Sequence, residues 1–233
     1  MLMAAIFDMD GVIVDSHAAH IRTWKKLFLS LGKSLNDADL DFVRQGLRRQ
    51  EILRHFLGEP TDEQLQAHSR EKDQLFQSEI ENIKLMPGAH DLLEDLKSAG
   101  VPTALASCGS AARVHDLLSH LRLKHYFATV VTGDEVAIGK PHPEIFLIAA
   151  AQMRVHPAES VVFEDSTSGV KGAKAAGMKC VGIADRRHAC ALLQAGADRV
   201  LPDLAGISWI GVQKLLARGC NQHNETHPYT ALL

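Results

Sequence analysis

Short apolar runs and amphipathic stretches alternate along most of this chain. Between about residues 86 and 205 the runs fall at 103–106, 129–132, 160–163 and 180–183. Among them, residues 111–121, 144–153, 170–176 and 188–195 carry apolar side chains at helical spacing. Strand and helix at this rhythm predict a parallel sheet with crossover helices. The first run, 2–7, joins the same sheet. Residues 17–84 break the rhythm and read as helical almost throughout. Ile21, Trp24, Leu27, Phe28 and Leu31 fall on one face, and Ile52, Leu53, Phe56 and Leu57 on another. Leu65, Leu75, Phe76, Ile80 and Ile83 continue that pattern in a looser register. Thr61 with Gln64, after the Gly58-Glu59-Pro60 break, reads as a capping box. The prediction is an α/β fold whose sheet is interrupted, after its first strand, by an all-helical insertion. Residues 1–15 and 86–220 form the core, 16–85 the insertion, and the polar, aperiodic 221–233 a loose tail.

Composition narrows the class. In 233 residues, 46% are apolar and 23% charged, enough for a buried core and against wholesale disorder. Twenty-five Lys and Arg face twenty-eight Asp and Glu, a formal charge of −3, and aromatics are 5%. That balance excludes a polyanion-binding arm and a base-stacking platform, so no nucleic-acid partner is expected. Cys108, Cys180, Cys190 and Cys220 form no CxxC pair and are expected as reduced thiols. No stretch approaches the roughly 18 apolar residues of a membrane span, and the apolar start is too short for a signal segment. The expectation is a soluble cytoplasmic protein, with a monomer as the simplest state.

The chemistry concentrates at predicted strand ends. Asp8-Met9-Asp10-Gly11-Val12-Ile13-Val14-Asp15-Ser16 follows the first run. The carboxyl ends of strands are where ligands bind in such sheets, and two carboxylates there suit a divalent metal. A calcium loop is rejected, because Val12, Ile13 and Val14 are apolar and Ala19 stands where the bidentate Glu belongs. Taken alone, the motif is equally a strand-ending Asp-Gly turn. It is not alone: Ser107 ends the second run, Lys140-Pro141 follows the third, and Glu164-Asp165 closes the fourth. Alone, Lys140 would be a solvated lysine and Glu164-Asp165 a helix-capping pair. Together these groups suit metal-assisted phosphoryl transfer. The His223/His227 pair in the tail lacks helical context and is set aside.

In this order and spacing, D-x-D-G-V-x-x-D-S, A-S, K-P and E-D-S resemble the haloacid dehalogenase superfamily of phosphotransferases. Within it the chain is similar to the β-phosphoglucomutase-like sugar phosphatases and mutases, over about residues 4–205. The resemblance implies a Rossmann-like core with an inserted helical cap, a Mg²⁺ cofactor and a small phosphorylated metabolite as partner. It implies Asp8 as the nucleophile that becomes a phosphoaspartate, and Asp10 as general acid and then base, with its backbone carbonyl on the metal. Ser107 would hold the transferring phosphoryl group and Lys140 would neutralise it. Asp8, Asp10, Glu164 and Asp165 make up the expected metal set, Glu164 as a ligand or as a partner behind one. Because Asp10 must be protonated at one step and ionised at the next, a raised pKa would help there.

For the cap, the resemblance assigns substrate contacts to His20, Lys72 and Arg49. An arginine fork suits a second, non-transferring phosphate. Trp24, one helical turn from His20, and Gly46, ahead of Arg48-Arg49, join the expected substrate set with Ser107, Cys108 and Gly109. Plainer readings stay open: His20 as an ordinary helix residue, Arg48-Arg49 as a solvated turn, and Cys108 as a space-filler. Two departures weigh against a mutase. Arg48 stands where the mutase loop has Ser, and Cys108-Gly109-Ser110 brings no basic side chain to the distal phosphate. A Mg²⁺-dependent sugar phosphatase is therefore the first expectation and a β-phosphoglucomutase-type mutase the alternative. Dehalogenation would leave Asp10 and the Glu164-Asp165 pair surplus, and a non-catalytic scaffold would have lost a core residue.

Overall fold

The computed structural model describes residues 2–217. The expected tail at 221–233, the pair His223/His227, Cys220 and the last core residues 218–220 lie outside the described residues.

Strand β1 (Ala4–Phe7) is buried on both faces, with Ala5 and Phe7 in one apolar cluster and Ile6 in the other. A strand without a polar face needs helices on both sides, as parallel sheets have. The chain then runs through β2 (Val14–Asp15), α1 (His17–Ser30), α2 (Asp37–Val43), α3 (Arg49–Leu57), α4 (Asp62–Gln77) and β3 (Lys84–Leu85). The core resumes with α5 (Ala89–Ser98), β4 (Thr103–Ser107), α6 (Ala111–His120), β5 (Thr129–Thr132), α7 (Glu144–Met153) and β6 (Ser160–Glu164). It closes with α8 (Thr167–Ala175), β7 (Lys179–Ile183), α9 (Ala189–Gln194), β8 (Arg199–Leu201) and α10 (Trp209–Ala217).

Six parallel strands lie in the order β5-β4-β1-β6-β7-β8. β1 is central, and the chain crosses to β4 on one side of it and to β6 on the other. The carboxyl end of β1 is therefore the switch point, where such sheets open a crevice. Phe7 and Phe163 pair across β1 and β6 and stack at 4.6 Å, so the residues that follow leave the sheet level with each other.

The helical insertion hangs from a two-stranded antiparallel ribbon, Val14 opposite Leu85 and Asp15 opposite Lys84. It has its own apolar cluster, with Trp24, Leu27, Phe28, Val43, Ile52, Leu53 and Leu65 buried together. The Thr61 capping box forms, Oγ1 accepting from Gln64 N at 3.2 Å and Thr61 N donating to Gln64 Oε1 at 2.9 Å. The looser register has a physical cause. Phe76, Ile80 and Ile83 bury in the cluster beneath the sheet, not among the cap residues, so the end of α4 turns to face a different partner. The apolar runs of the sequence show neither β8 nor α10. A three-residue edge strand carries too few alternations to show as a run.

Candidate active site

Four strand ends converge on one crevice. Asp8 follows β1 and is held by a hydrogen bond from its N–H to Phe163 O at 2.9 Å. Ser107 ends β4 and is wholly buried, its hydroxyl accepting from Gly109 N at 3.1 Å. Glu164 ends β6, and Asp165 follows it. Lys140 reaches in from the segment between β5 and α7. It is 1% exposed, and its ammonium donates to Asp8 Oδ1 at 2.5 Å, Glu164 Oε2 at 2.7 Å and Ala106 O at 3.2 Å. Burial alone would lower its pKa, but the two carboxylates outweigh burial and hold it well above the ordinary lysine value.

Glu164 has little capacity left. Its second oxygen accepts from Ser166 N at 3.1 Å and Ser166 Oγ at 2.8 Å, while Ser166 Oγ also caps α8 by accepting from Gly169 N at 3.0 Å. Glu164 therefore anchors Lys140 and the start of α8. The helix-capping residue beside the acidic pair is Ser166, not Glu164 or Asp165.

Asp8, Glu164 and Asp165 nevertheless share one place, with a carboxylate oxygen of each within 4.8 Å of the others. Burial, with Glu164 adding to it, raises Asp165 to about 6 against the opposing pull of His17. Oxygen donors from crowded carboxylates suit a small hard cation. A cradle is present too, since Gly11 has φ +78° and a Cβ there would lie 2.3 Å from Asp165 Oδ2. The residues fit Mg²⁺, with Asp8 and Asp165 the freer donors. His17 was not foreseen. Its Nε2 meets Asp165 Oδ2 at 2.8 Å, a bond that raises the imidazole to about 9. It directly follows Asp15-Ser16, the one signal the sequence offered.

Asp10 is held by its neighbours. Ser16 Oγ donates to its Oδ1 at 2.6 Å, and His20 Nε2 meets the same oxygen at 3.1 Å. Arg113 binds both oxygens, Nη1 to Oδ1 at 2.9 Å and Nη2 to Oδ2 at 2.8 Å. Burial pushes the carboxyl up, but Arg113 and then His20 outweigh it and hold Asp10 well below the usual carboxylate range. The raised pKa that would help an acid is absent from this arrangement, which favours the ionised carboxylate. The expected lack of a basic group after Ser107 is corrected. Ser110 caps α6 by accepting from Arg113 N at 3.3 Å, and that turn carries Arg113 back to the crevice.

The cap residues line the same cavity, about 90 Å³ in volume. His20 is lowered to about 4, mainly by burial, and is neutral. Lys72 is buried, its ammonium 4.9 Å from the Trp24 ring centroid and 5.1 Å from that of Phe76. Arg49 reaches Asp134 Oδ1 at 3.1 Å and Asp73 Oδ2 at 3.7 Å. Gly46, at φ +71°, lets its loop approach α8 so closely that a Cβ would lie 2.5 Å from Ser166 Oγ. Cys108 and Gly109 line the floor, and burial pushes the Cys108 thiol up to about 11, which leaves it protonated.

Comparison with known proteins matches the profile of the haloacid dehalogenase-like hydrolase family over residues 5–183. The chain is 30% identical over 223 residues to the validoxylamine A 7'-phosphate phosphatase of Streptomyces hygroscopicus subsp. limoneus, covering 90% of this chain and 97% of that one. It is 36% identical over 200 residues to the phosphorylated carbohydrates phosphatase of Thermotoga maritima, covering 83% and 91%. Among solved structures, the β-phosphoglucomutase of Clostridium difficile superimposes with a TM-score of 0.82 at 27% identity, over 93% and 98% of the two chains.

Proposed function

The chain belongs to the haloacid dehalogenase-like hydrolase family, and from that premise we propose that it is a phosphatase of small phosphorylated sugars working through a phosphoaspartate on Asp8. One observation carries this reading. Asp8, at the end of the central strand, is paired with a wholly buried lysine and lies beside Asp165. The supporting comparisons are the validoxylamine A 7'-phosphate phosphatase and the phosphorylated carbohydrates phosphatase, each similar along most of the chain.

Asp8 Oδ attacks phosphorus, and the ester P–O bond breaks. The leaving oxygen takes a proton from Asp10, and water then attacks the aspartyl phosphate as Asp10 accepts its proton. Phosphate leaves and Asp8 is restored. A covalent intermediate divides one displacement into two easier ones. Lys140 offsets the repulsion between carboxylate and phosphate dianion, and this matters most as charge builds in the transition state. Ser107 orients the phosphoryl oxygens. Mg²⁺, which Asp8 and Asp165 would hold with the Asp10 carbonyl, would supply further charge neutralisation. Glu164 keeps Lys140 aimed at Asp8. The acid role needs a proton that Asp10 does not hold while Arg113 grips it.

Phosphorus NMR of the protein with Mg²⁺ and a panel of sugar phosphates tests the reading. Release of inorganic phosphate is expected, and Asp8→Asn is expected to abolish it while leaving the fold unchanged by circular dichroism. Retained turnover in Asp8→Asn sinks the mechanism. The fold likeness to a β-phosphoglucomutase favours a second reading, in which a sugar hydroxyl replaces water. Conversion of β-glucose 1-phosphate to the 6-phosphate, primed by the 1,6-bisphosphate and with little free phosphate, would establish it.

A further inference from the structure

His17 lines the cavity without a task in the steps above. It is the first residue of α1, and its side chain is 41% exposed. Its Nε2 lies 2.8 Å from Asp165 Oδ2, and His17, Asp8 and Asp165 line one cavity. Both atoms crowd the same glycine. A Cβ at Gly11 would lie 2.3 Å from Asp165 Oδ2 and 2.4 Å from His17 Nε2. The missing Cβ leaves a hollow that an imidazole nitrogen and a carboxylate oxygen share.

Other donors around this hollow are committed elsewhere. Glu164 serves Lys140 and Ser166, and the Asp10 carboxylate serves Arg113, Ser16 and His20. A cation between Asp8 and Asp165 therefore meets in His17 a nitrogen already in contact with one of its ligands. Neighbouring ligands of an octahedral ion, each about 2.1 Å from it, stand roughly 3 Å apart. The Nε2–Oδ2 separation is of that size. A hydrogen bond has this length too, but a nitrogen that only braced Asp165 would need no place in the cavity that Asp8 lines. A divalent cation bound to both atoms replaces the proton they share, and that proton leaves to solvent past the exposed ring. Imidazole suits borderline transition metals, whereas Mg²⁺ prefers oxygen throughout.

Resting on the cation of the phosphatase reading, we propose that His17 Nε2 is a ligand of that cation beside Asp8 and Asp165, a mixed nitrogen–oxygen set that turns the site from Mg²⁺ toward Mn²⁺ and Co²⁺.

The full chain with one equivalent of Mn²⁺ and no substrate is read by electron spin-echo envelope modulation, which detects a nitrogen bonded to the ion. Nitrogen coupling is expected in the wild type and is expected to vanish in His17→Gln. Calorimetric titration with Co²⁺ and with Mg²⁺ gives an independent reading. An oxygen-only site also prefers cobalt, so the change on substitution decides. His17→Gln is expected to lower the ratio of Co²⁺ to Mg²⁺ affinity about tenfold. His17→Asp, which offers an oxygen in place of the nitrogen, is expected to lower the same ratio while binding Mg²⁺ at least as tightly as the wild type. Both substitutions fall at a half-exposed helix start, and the wild-type spectrum needs no variant. Absent coupling in the wild type, coupling that survives His17→Gln, or equal weakening of both metals, which would make His17 a brace for Asp165, overturns the proposal. Phosphate release from a wild type whose Mn²⁺ shows no nitrogen would overturn it and leave the phosphatase reading standing. A wild type that binds neither metal would overturn both the ligand and the cation of that reading.

Discussion

Lys72 carries its amine where the uncharged form is favoured. Burial lowers it from 10.5 to about 7, with Arg113 and Arg49 adding repulsion against the weaker pull of Asp73 and Asp10. Between those two values the unfolded chain holds a proton that the folded chain has released, so stability rises with pH across this window. The penalty is full below about pH 7 and gone above 10.5. Lys72→Met is therefore expected to stabilise the protein by on the order of 2 kcal/mol at pH 6, the gain shrinking toward pH 10.5. Thermal melts of both proteins across that range check it, and a gain independent of pH would refute the charge argument. A position that destabilises the fold and lines the cavity is a plausible trade of stability for binding. At this scale the sequence was readable where chemistry is local. Asp8, Ser107 and Glu164-Asp165 stand at the ends of apolar runs, and a run ends where its polar residue begins. Arg113 offered no such sign, because its partner lies 103 residues away.

Helix α8 shows how a site can overrule helix propensity. Gly169 lies in its first turn, where Ala would ordinarily gain up to about 1 kcal/mol. A Cβ at Gly169, however, would come 2.1 Å from Glu164 Oε2, the oxygen that anchors Lys140. Displacing one member of a buried ion pair costs about 3–5 kcal/mol. Gly169→Ala is expected to lose about 2 kcal/mol or more in urea unfolding and to lose turnover as Lys140 shifts. Equal stability would mean that Glu164 has room to move. The periodicity of this region predicted a helix from 170, and the helix begins at Thr167. The difference is the Ser166 cap, whose side-chain bonds draw three further residues into the first turn.

Across the whole molecule, beside the contacts of Ser16, His17 and His20, residues 45–49 of the cap make a second seam with the core. Arg48 Nη1 donates to Val136 O at 2.9 Å, Arg49 reaches Asp134, and Ser168 Oγ donates to Gln45 O. Arg48 is the substitution that set this chain apart from the mutase pattern, and it crosses the seam between the domains. A bond from a charged group to a backbone carbonyl is worth about 1.5–3 kcal/mol, enough to bias a hinged pair of domains. Arg48→Ala is expected to increase the radius of gyration in small-angle scattering and to raise KM more than it lowers kcat. Unchanged scattering and KM would show that the clasp carries no weight.

The sequence by itself determined the class of fold and the polar residues that close its apolar runs. Each follows from short-range patterns: alternation, helical spacing, and polar residues closing apolar runs. Tertiary structure alone decided the strand order about β1, the turning of Phe76, Ile80 and Ile83 toward the sheet, and the ionised state of Asp10 under Arg113. It also placed His17 on Asp165. These depend on which distant surfaces meet, and a charge takes its pKa from whatever the fold sets beside it. No spacing along the chain encodes that meeting.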